Sequence, residues 1–424
     1  MSQDRLPPPL KPADGEREAA VRAALIEHDS ARAMDLMRGY AFTEEFRNDI
    51  LGGAMHLGDD LPFVRFVIEE MDTDISPTRC ISLLNAACQN KLADTTVYLV
   101  ERALAENISR EDCYSRIFTN FPPEDAAAVV QKLAEKAEDR DAALSDALYQ
   151  AAIAKTFPVM GPLVEAGAAG GKHMALVLLS YLMCQDQAFY NDKDAYLGTF
   201  RKIVGTATPQ HMTALDLTLP MVAYKIPGGD MYPEIMDILV QAGADPFAVR
   251  GEASRALTAA YNERGDFEEE ARWRQYFDEA REAYTGRCHA AFQEKFGNGF
   301  SVSDLLQTVN AAGDTGLTLA ARARRADAVL DAAAKDGSLT LAQMFNETAG
   351  KQSVISLAID RGDLAQWLRP AYWLKQDPQI LQKVEEKLTD EQKKHADLDM
   401  IAARINQHRL KQNAGRFKLG PRNG

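Results

Sequence analysis

Histidine and cysteine are the residues of this chain best suited to metal or nucleophilic chemistry, and their spacing assembles neither. The seven histidines are His28, His56, His173, His211, His289, His395 and His408. None forms H-E-x-x-H or a close pair, whereas a zinc site needs several N or S ligands at short, regular spacings. Cys288 and His289 are adjacent, but no second ligand pair lies at zinc spacing. With Cys80, Cys88, Cys113 and Cys184, Cys288 makes an odd, scattered set of five thiols. That is no disulfide framework and reads as reduced cysteines in a cytosolic compartment. Cys88 stands in an apolar stretch and reads as a small core residue. Gly167 to Lys172 spell GAAGGK, which approaches a phosphate loop. The gap before Gly-Lys is one residue short, His173 stands where Ser or Thr is required, and a helix precedes it, so it reads as a turn after a helix. There is no G-x-S-x-G elbow. Glu268, Glu269 and Glu270 read as a solvated helix start, and Arg361, Gly362 and Asp363 as an inter-helix turn. The expectation is a non-catalytic protein without metal or cofactor.

Charge narrows the partners. Forty-eight basic and 62 acidic residues give a net charge of -14 over 424 residues. Phosphate binding needs clustered Lys and Arg, so this balance argues against a nucleic-acid groove as the main function. The end of the chain differs: Arg409, Lys411, Arg416, Lys418 and Arg422 come with no acid. That segment reads as a solvated terminus or an electrostatic tether. No apolar run approaches the roughly eighteen residues of a membrane span. Pro7, Pro8 and Pro9 leave no apolar leader segment, so the expectation is a cytoplasmic protein, or one exported by an apparatus needing no such signal.

Aromatics make up 8% of the chain and hydrophobic residues 46%. That balance suits small, closely packed helices better than a β-sandwich. From Glu16 onward almost every segment shows helical periodicity. Apolar positions also recur every 33 residues: Leu51, Leu84, Ile117; Val64, Val97, Val130; Val67, Val100, Leu133; and Ala54, Ala87. One unit would hold a helix with Leu51 and Ala54, a turn at Gly58, Asp59 and Asp60, and a helix with Val64, Val67 and Ile68. A single pair cannot bury both faces, so neighbours must complete its core. The fold class expected is all-α, an α-solenoid of stacked antiparallel helix pairs.

Later segments carry a resemblance. Residues 235–246 read IMDILVQAGADP and 163–168 read LVEAGA; DTGLTLAA stands at 314–321 and LAIDRGDL at 357–364. These resemble the second helix and exit turn, the opening, and the inter-helix segment of ankyrin repeats. The resemblance implies stacked helix pairs with projecting turns and a protein-binding role. The Pro-Leu-His core of the opening is missing here, and residues 171–232 are too long for one unit.

The reading divides the chain into a disordered arm (1–15), N-terminal repeats (16–140) and central repeats with an insert (141–250). C-terminal repeats (251–380), capping helices (381–408) and a disordered basic tail (409–424) follow. Exposed aromatics are the expected anchors of a binding surface. Tyr190, Tyr196, Tyr224 and Tyr232 are the candidates, and the first two lie in a polar insert where exposure is expected. Trp367, Tyr372 and Trp373 are candidates too, with core filling as the simpler role. The functional expectation is a scaffold or adaptor whose protein partner carries a basic patch. The alternatives are an effector with an enzymatic insert and a tether acting through its basic tail.

Overall fold

The computed structural model describes residues 10–183, 192–225, 231–247, 265, 267–297, 299–309, 313–337, 339–348 and 352–417. They are overwhelmingly helical, and the one sheet among them pairs two-residue strands, β1 (Lys11–Pro12) and β2 (Tyr40–Ala41). The chain divides into two compact units, one reaching Gly170 and the other starting at Gly171.

Among its described residues the first unit holds five helix pairs. They are α1 (Gly15–Ile26) with α2 (Ser30–Met37), and α3 (Glu44–Ala54) with α4 (Leu61–Arg65), which a π-helical turn extends through Phe66–Glu70. Then come α5 (Pro77–Gln89) with α6 (Ala93–Ala105), α7 (Arg110–Asn120) with α8 (Pro123–Ala134), and α9 (Arg140–Ile153) with α10 (Phe157–Glu165). The first helix of every pair starts on a side-chain cap. Asp14, Thr43, Ser76, Ser109 and Asp139 each accept a hydrogen bond from the N–H three residues on. Such a cap satisfies a donor that the helix itself leaves unpaired. Packing runs in two layers: α1 on α3 and α5 on α7 on α9, beside α2 on α4 on α6 on α8 on α10. The recurring apolar positions supply the contacts. Leu51, Leu84 and Ile117 are fully buried, as are Val64, Val97 and Val130 nearly so.

One device recurs at the joint between paired helices in both units. A residue adopts positive φ, and the next N–H reaches back to a carbonyl five residues earlier, closing the helix end. The positive-φ residues are His28, Lys91, Lys155, Arg324 and Gly362. The accepting carbonyls belong to Ala24, Ala87, Ala151, Ala320 and Ala358, at 2.8 to 3.0 Å. All five alanines are wholly buried. At four joints a non-glycine residue bears the left-handed conformation, which costs roughly 1–2 kcal/mol.

A second recurring device uses arginine. Arg17 donates to the Leu36 carbonyl (2.7 Å), Arg47 to that of Met71 and Arg140 to that of Ala166 (3.1 Å). Each stands in the first turn of a pair's first helix and satisfies a carbonyl at the end of its second. Between pairs, Asp59 accepts from the N–H groups of Asp94 (2.8 Å) and Thr95 (3.0 Å), capping α6 from the preceding turn.

Residues 11–15 and 409–417, which the sequence reading assigns to a disordered arm and tail, hold regular structure. Lys11 donates to the Gly39 carbonyl and Ala13 to that of Ala41, so the backbone from Lys11 is pinned and α1 begins at Gly15. At the other end a helix runs from Leu398 to Phe417, through residues expected to be disordered. Ile401 and Ile405 bury one edge. Arg409 donates to the Pro378 carbonyl at 2.8 Å. Arg, Leu, Lys, Gln and Ala are good helix formers, so the polar continuation holds.

The second unit centres on one long helix, Phe267–Phe296. Trp273, Phe277, Tyr284, Cys288, Phe292 and Phe296 form its buried stripe. Helix Tyr232–Gln241 packs on one part of it and helix Gly316–Arg322 on another. Helix Val354–Arg361 then packs on Gly316–Arg322. Thr315 and Ser353 open those two helices with the same capping box, each bonded reciprocally to the residue three further on, Thr318 and Ser356. Gly316 lies against the long helix so closely that a Cβ there would stand 2.7 Å from the Phe296 ring and 2.9 Å from the Leu305 Cα. A backbone atom cannot swing aside. Gly316→Ala is therefore expected to lose about 1–3 kcal/mol, read as a lower urea midpoint.

Candidate functional site

The most concentrated chemistry of the described residues lies inside the second unit, around Arg322. This residue ends helix Gly316–Arg322 and is 5% exposed. Its guanidinium is used on all sides. Nε donates to Asp314 at 3.0 Å, Nη1 to Asp245 at 2.9 Å and to the Tyr284 hydroxyl, and Nη2 to Gln352. Gln352 in turn donates to Asp216 Oδ2 at 3.4 Å, and the Asp245 N–H donates to Asp216 Oδ1 at 2.6 Å. Arg361 completes the cluster. Its Nη2 donates to Thr285 at 2.8 Å, its Nη1 lies 3.9 Å from Asp245, and it stacks 4.0 Å from the Phe247 ring centre.

Burial sets the protonation of these groups. It pushes Asp216 up to about 8, with the nearby Asp245 carboxylate adding to the shift, so the carboxyl is mostly protonated at neutral pH. Burial also draws Tyr284 well above the ordinary phenol range. At Arg322 burial works against the charge, but Tyr284, Asp314 and Asp245 outweigh it and the pKa lies well above the usual value. Arg361 is less well served: burial lowers its pKa against the opposing pull of Asp245. Its Nε and Nη1 lack hydrogen-bond partners among the described residues. Cys288 beside them is raised to about 11 by burial, which makes it a poor nucleophile at neutral pH.

Two surface clefts border the long helix. One, of about 650 Å³, is lined by Phe247, Arg281, Thr285, His289 and Arg324, with the acids Asp278 and Glu282. The other, of about 170 Å³, lies between the long helix and helix Tyr232–Gln241. Among the described residues no group of three His, Cys, Asp or Glu is placed to hold a metal ion, and no helix is long and apolar enough to cross a membrane.

The tyrosines singled out as surface anchors fare differently. Tyr196 is wholly buried. It stands one turn into helix Lys193–Gly205, 4.8 Å from the Tyr181 ring, and its carbonyl accepts from the Tyr181 hydroxyl at 2.7 Å. Asp192 caps that helix, so the polar insert ends before Tyr196 and the ring belongs to an apolar helix face. Tyr196→Ala is accordingly a core truncation, expected to cost about 3 kcal/mol in a thermal or urea unfolding curve. Tyr190 lies outside the described residues. Tyr224 and Tyr232 lie on helices, but their side chains are outside the described set. Trp367 and Trp373 fill the core, the Trp373 indole donating to the Trp367 carbonyl at 2.7 Å, and Tyr372 is buried beside them.

Sequence reasoning passed over Arg322 and read Arg361 only as part of a turn, because arginine is ordinarily a surface residue. A signal was present: both close a short, largely apolar helix that opens on a Thr or Ser capping box, TGLTLAAR and SVISLAIDR. Comparison with protein-family models, with curated proteins and with solved structures finds no match.

Proposed function

We propose that the chain is a non-catalytic protein-binding scaffold, an ankyrin-like solenoid of degenerate helix pairs. The observation that carries this reading is the joint shared by five pairs. In each, a buried alanine carbonyl and a positive-φ residue close the first helix, at Ala24, Ala87, Ala151, Ala320 and Ala358. Segments that resemble ankyrin exit turns also share a backbone: Gly167 and Gly243 take φ of 104° and 105°. The next N–H in each case returns to a leucine, Leu163 or Leu239. Repeated units stacked in register present rows of equivalent turns, which is how such arrays build extended binding faces.

The buried cluster favours this reading over an enzymatic one. Its hydrogen bonds are made within the protein and its members are shielded from solvent, so it suits holding helices together better than meeting a substrate. The acidic balance of the chain points to a partner with a basic surface.

The test is capture by the full-length chain from native lysate, followed by titration of each purified candidate partner. The expected result is a saturable complex of defined stoichiometry with micromolar or tighter Kd. Failure of every captured protein to bind when purified would overturn the reading.

A further inference from the structure

We propose that the smaller cleft, between helices Tyr232–Gln241 and Phe267–Phe296, takes one large apolar side chain of a partner polypeptide, flanked there by Lys or Arg. The proposal rests on the protein-binding reading and gives the partner its chemistry. The cleft holds about 170 Å³, close to the size of cavities known to admit a small apolar molecule. Its floor is apolar, made by the buried Met236 and Val240. On the long helix Tyr276, Ala280 and Ala283 follow at i, i+4 and i+7 and so share one face. The two alanines leave the space that longer side chains would fill.

The rim supplies the charge. Asp237 and Glu279 border the cleft, with Arg287 as the one cation. Arg287 is engaged with Asp237 at 3.8 Å. Glu279 accepts from Gln275 at 2.9 Å and meets no cation among the described residues. An apolar pocket with an acidic rim, on a chain of net charge -14, complements an apolar anchor flanked by basic residues. Buried anchors in pockets dominate interface energies, and rim charges steer the encounter.

The probe is a short fluorescein-labelled peptide with one leucine between lysines, titrated into the full chain by anisotropy. Saturable binding is expected, weakened about tenfold or more when serine replaces the leucine. Ala283→Arg, an exposed position that should leave the fold intact, fills the cleft and should weaken binding by a similar factor. Ala271→Arg adds the same charge to an exposed position on the other side of the same helix and should change binding by less than about twofold. The proposal is overturned by equal affinity for the serine peptide, by equal weakening in both arginine variants, or by no saturable binding. Tighter binding after removal of residues 418–424 would assign the cleft to the chain's own basic end and overturn it too. If the complex captured from lysate is unchanged in Ala283→Arg, the cleft assignment falls while the protein-binding reading stands.

Discussion

Arg322→Met is expected to destabilise the second unit by about 3–5 kcal/mol, the usual cost of removing one partner from a buried ion pair. The substitution keeps the volume and the apolar stem. It strips the countercharge from Asp245 and Asp314, whose side chains are 1% and 8% exposed, and leaves the Tyr284 hydroxyl and Gln352 without their donor. Arg361 cannot take over, because its closest approach to Asp245 is 3.9 Å. The measurement is convenient, since all three tryptophans, Trp273, Trp367 and Trp373, lie in this unit and are buried. Urea unfolding followed by their fluorescence therefore reports on it. Neutralising the second carboxylate as well, in Arg322→Met/Asp314→Asn, should recover part of the loss, because Asp314 is then no longer a stranded charge and Asp245 keeps the buried Arg361 at 3.9 Å. A single-variant loss below about 1 kcal/mol would show that water reaches the cluster and screens it.

Stability should also fall with rising pH in a way that depends on Asp216. Its folded pKa, about 8, lies above the ordinary carboxylate value of 3.8. Between those values the folded chain holds a proton that the unfolded chain has released. The associated stability is fully present below pH 3.8 and is lost as pH rises through 8, at a rate on the order of 1 kcal/mol per pH unit. Asp216→Asn carries no proton to lose, while its side-chain oxygen can still accept from the Asp245 N–H. The difference between wild type and variant should thus slope through the neutral range and level off above about pH 8, where the variant is the more stable. Parallel profiles from pH 5 to 9 would refute this. The carboxylates drawn below their usual range by surface partners, Asp304, Asp377 and Glu234, titrate at lower pH with the opposite sign and cancel in the difference.

The all-helical class and the core were legible because they rest on dense, redundant signals. The 33-residue series of apolar residues maps onto buried helix faces, and one exception, Leu133, is only partly covered. Helix caps at Asp14, Thr43, Ser76, Ser109 and Asp139 are local and could be read in the same way. The polar interior was not legible. Arg322 meets Asp245 across 77 residues, and Gln352 meets Asp216 across 136. No local periodicity encodes such pairings. Tyr196 was misplaced for a related reason. Polar neighbours in sequence suggest exposure, but the Asp192 cap switches the chain from insert to helix just before it. The termini were misread because composition speaks to intrinsic disorder and not to individual tethers such as Lys11 to Gly39 or Arg409 to Pro378.

The contrast between layered pairs and the long-range cluster sets an order of events during synthesis. In the first unit each helix packs on neighbours one or two places along the chain, so a nascent polypeptide can bury each pair soon after it emerges. The helices of the second unit also pack on near neighbours, but its polar cluster has no such gradual route. Asp216 and Asp245 are made early, yet their partners Arg322, Gln352 and Arg361 are joined to the chain only about a hundred residues later. Until Arg361 clears the ribosome the cluster is incomplete, and the helices around it are held by apolar packing and by surface contacts such as Lys193 to Glu234. Stalled nascent chains ending before Gly316 should therefore show a protease-resistant first unit and a cleavable second one; equal resistance of both would contradict this order.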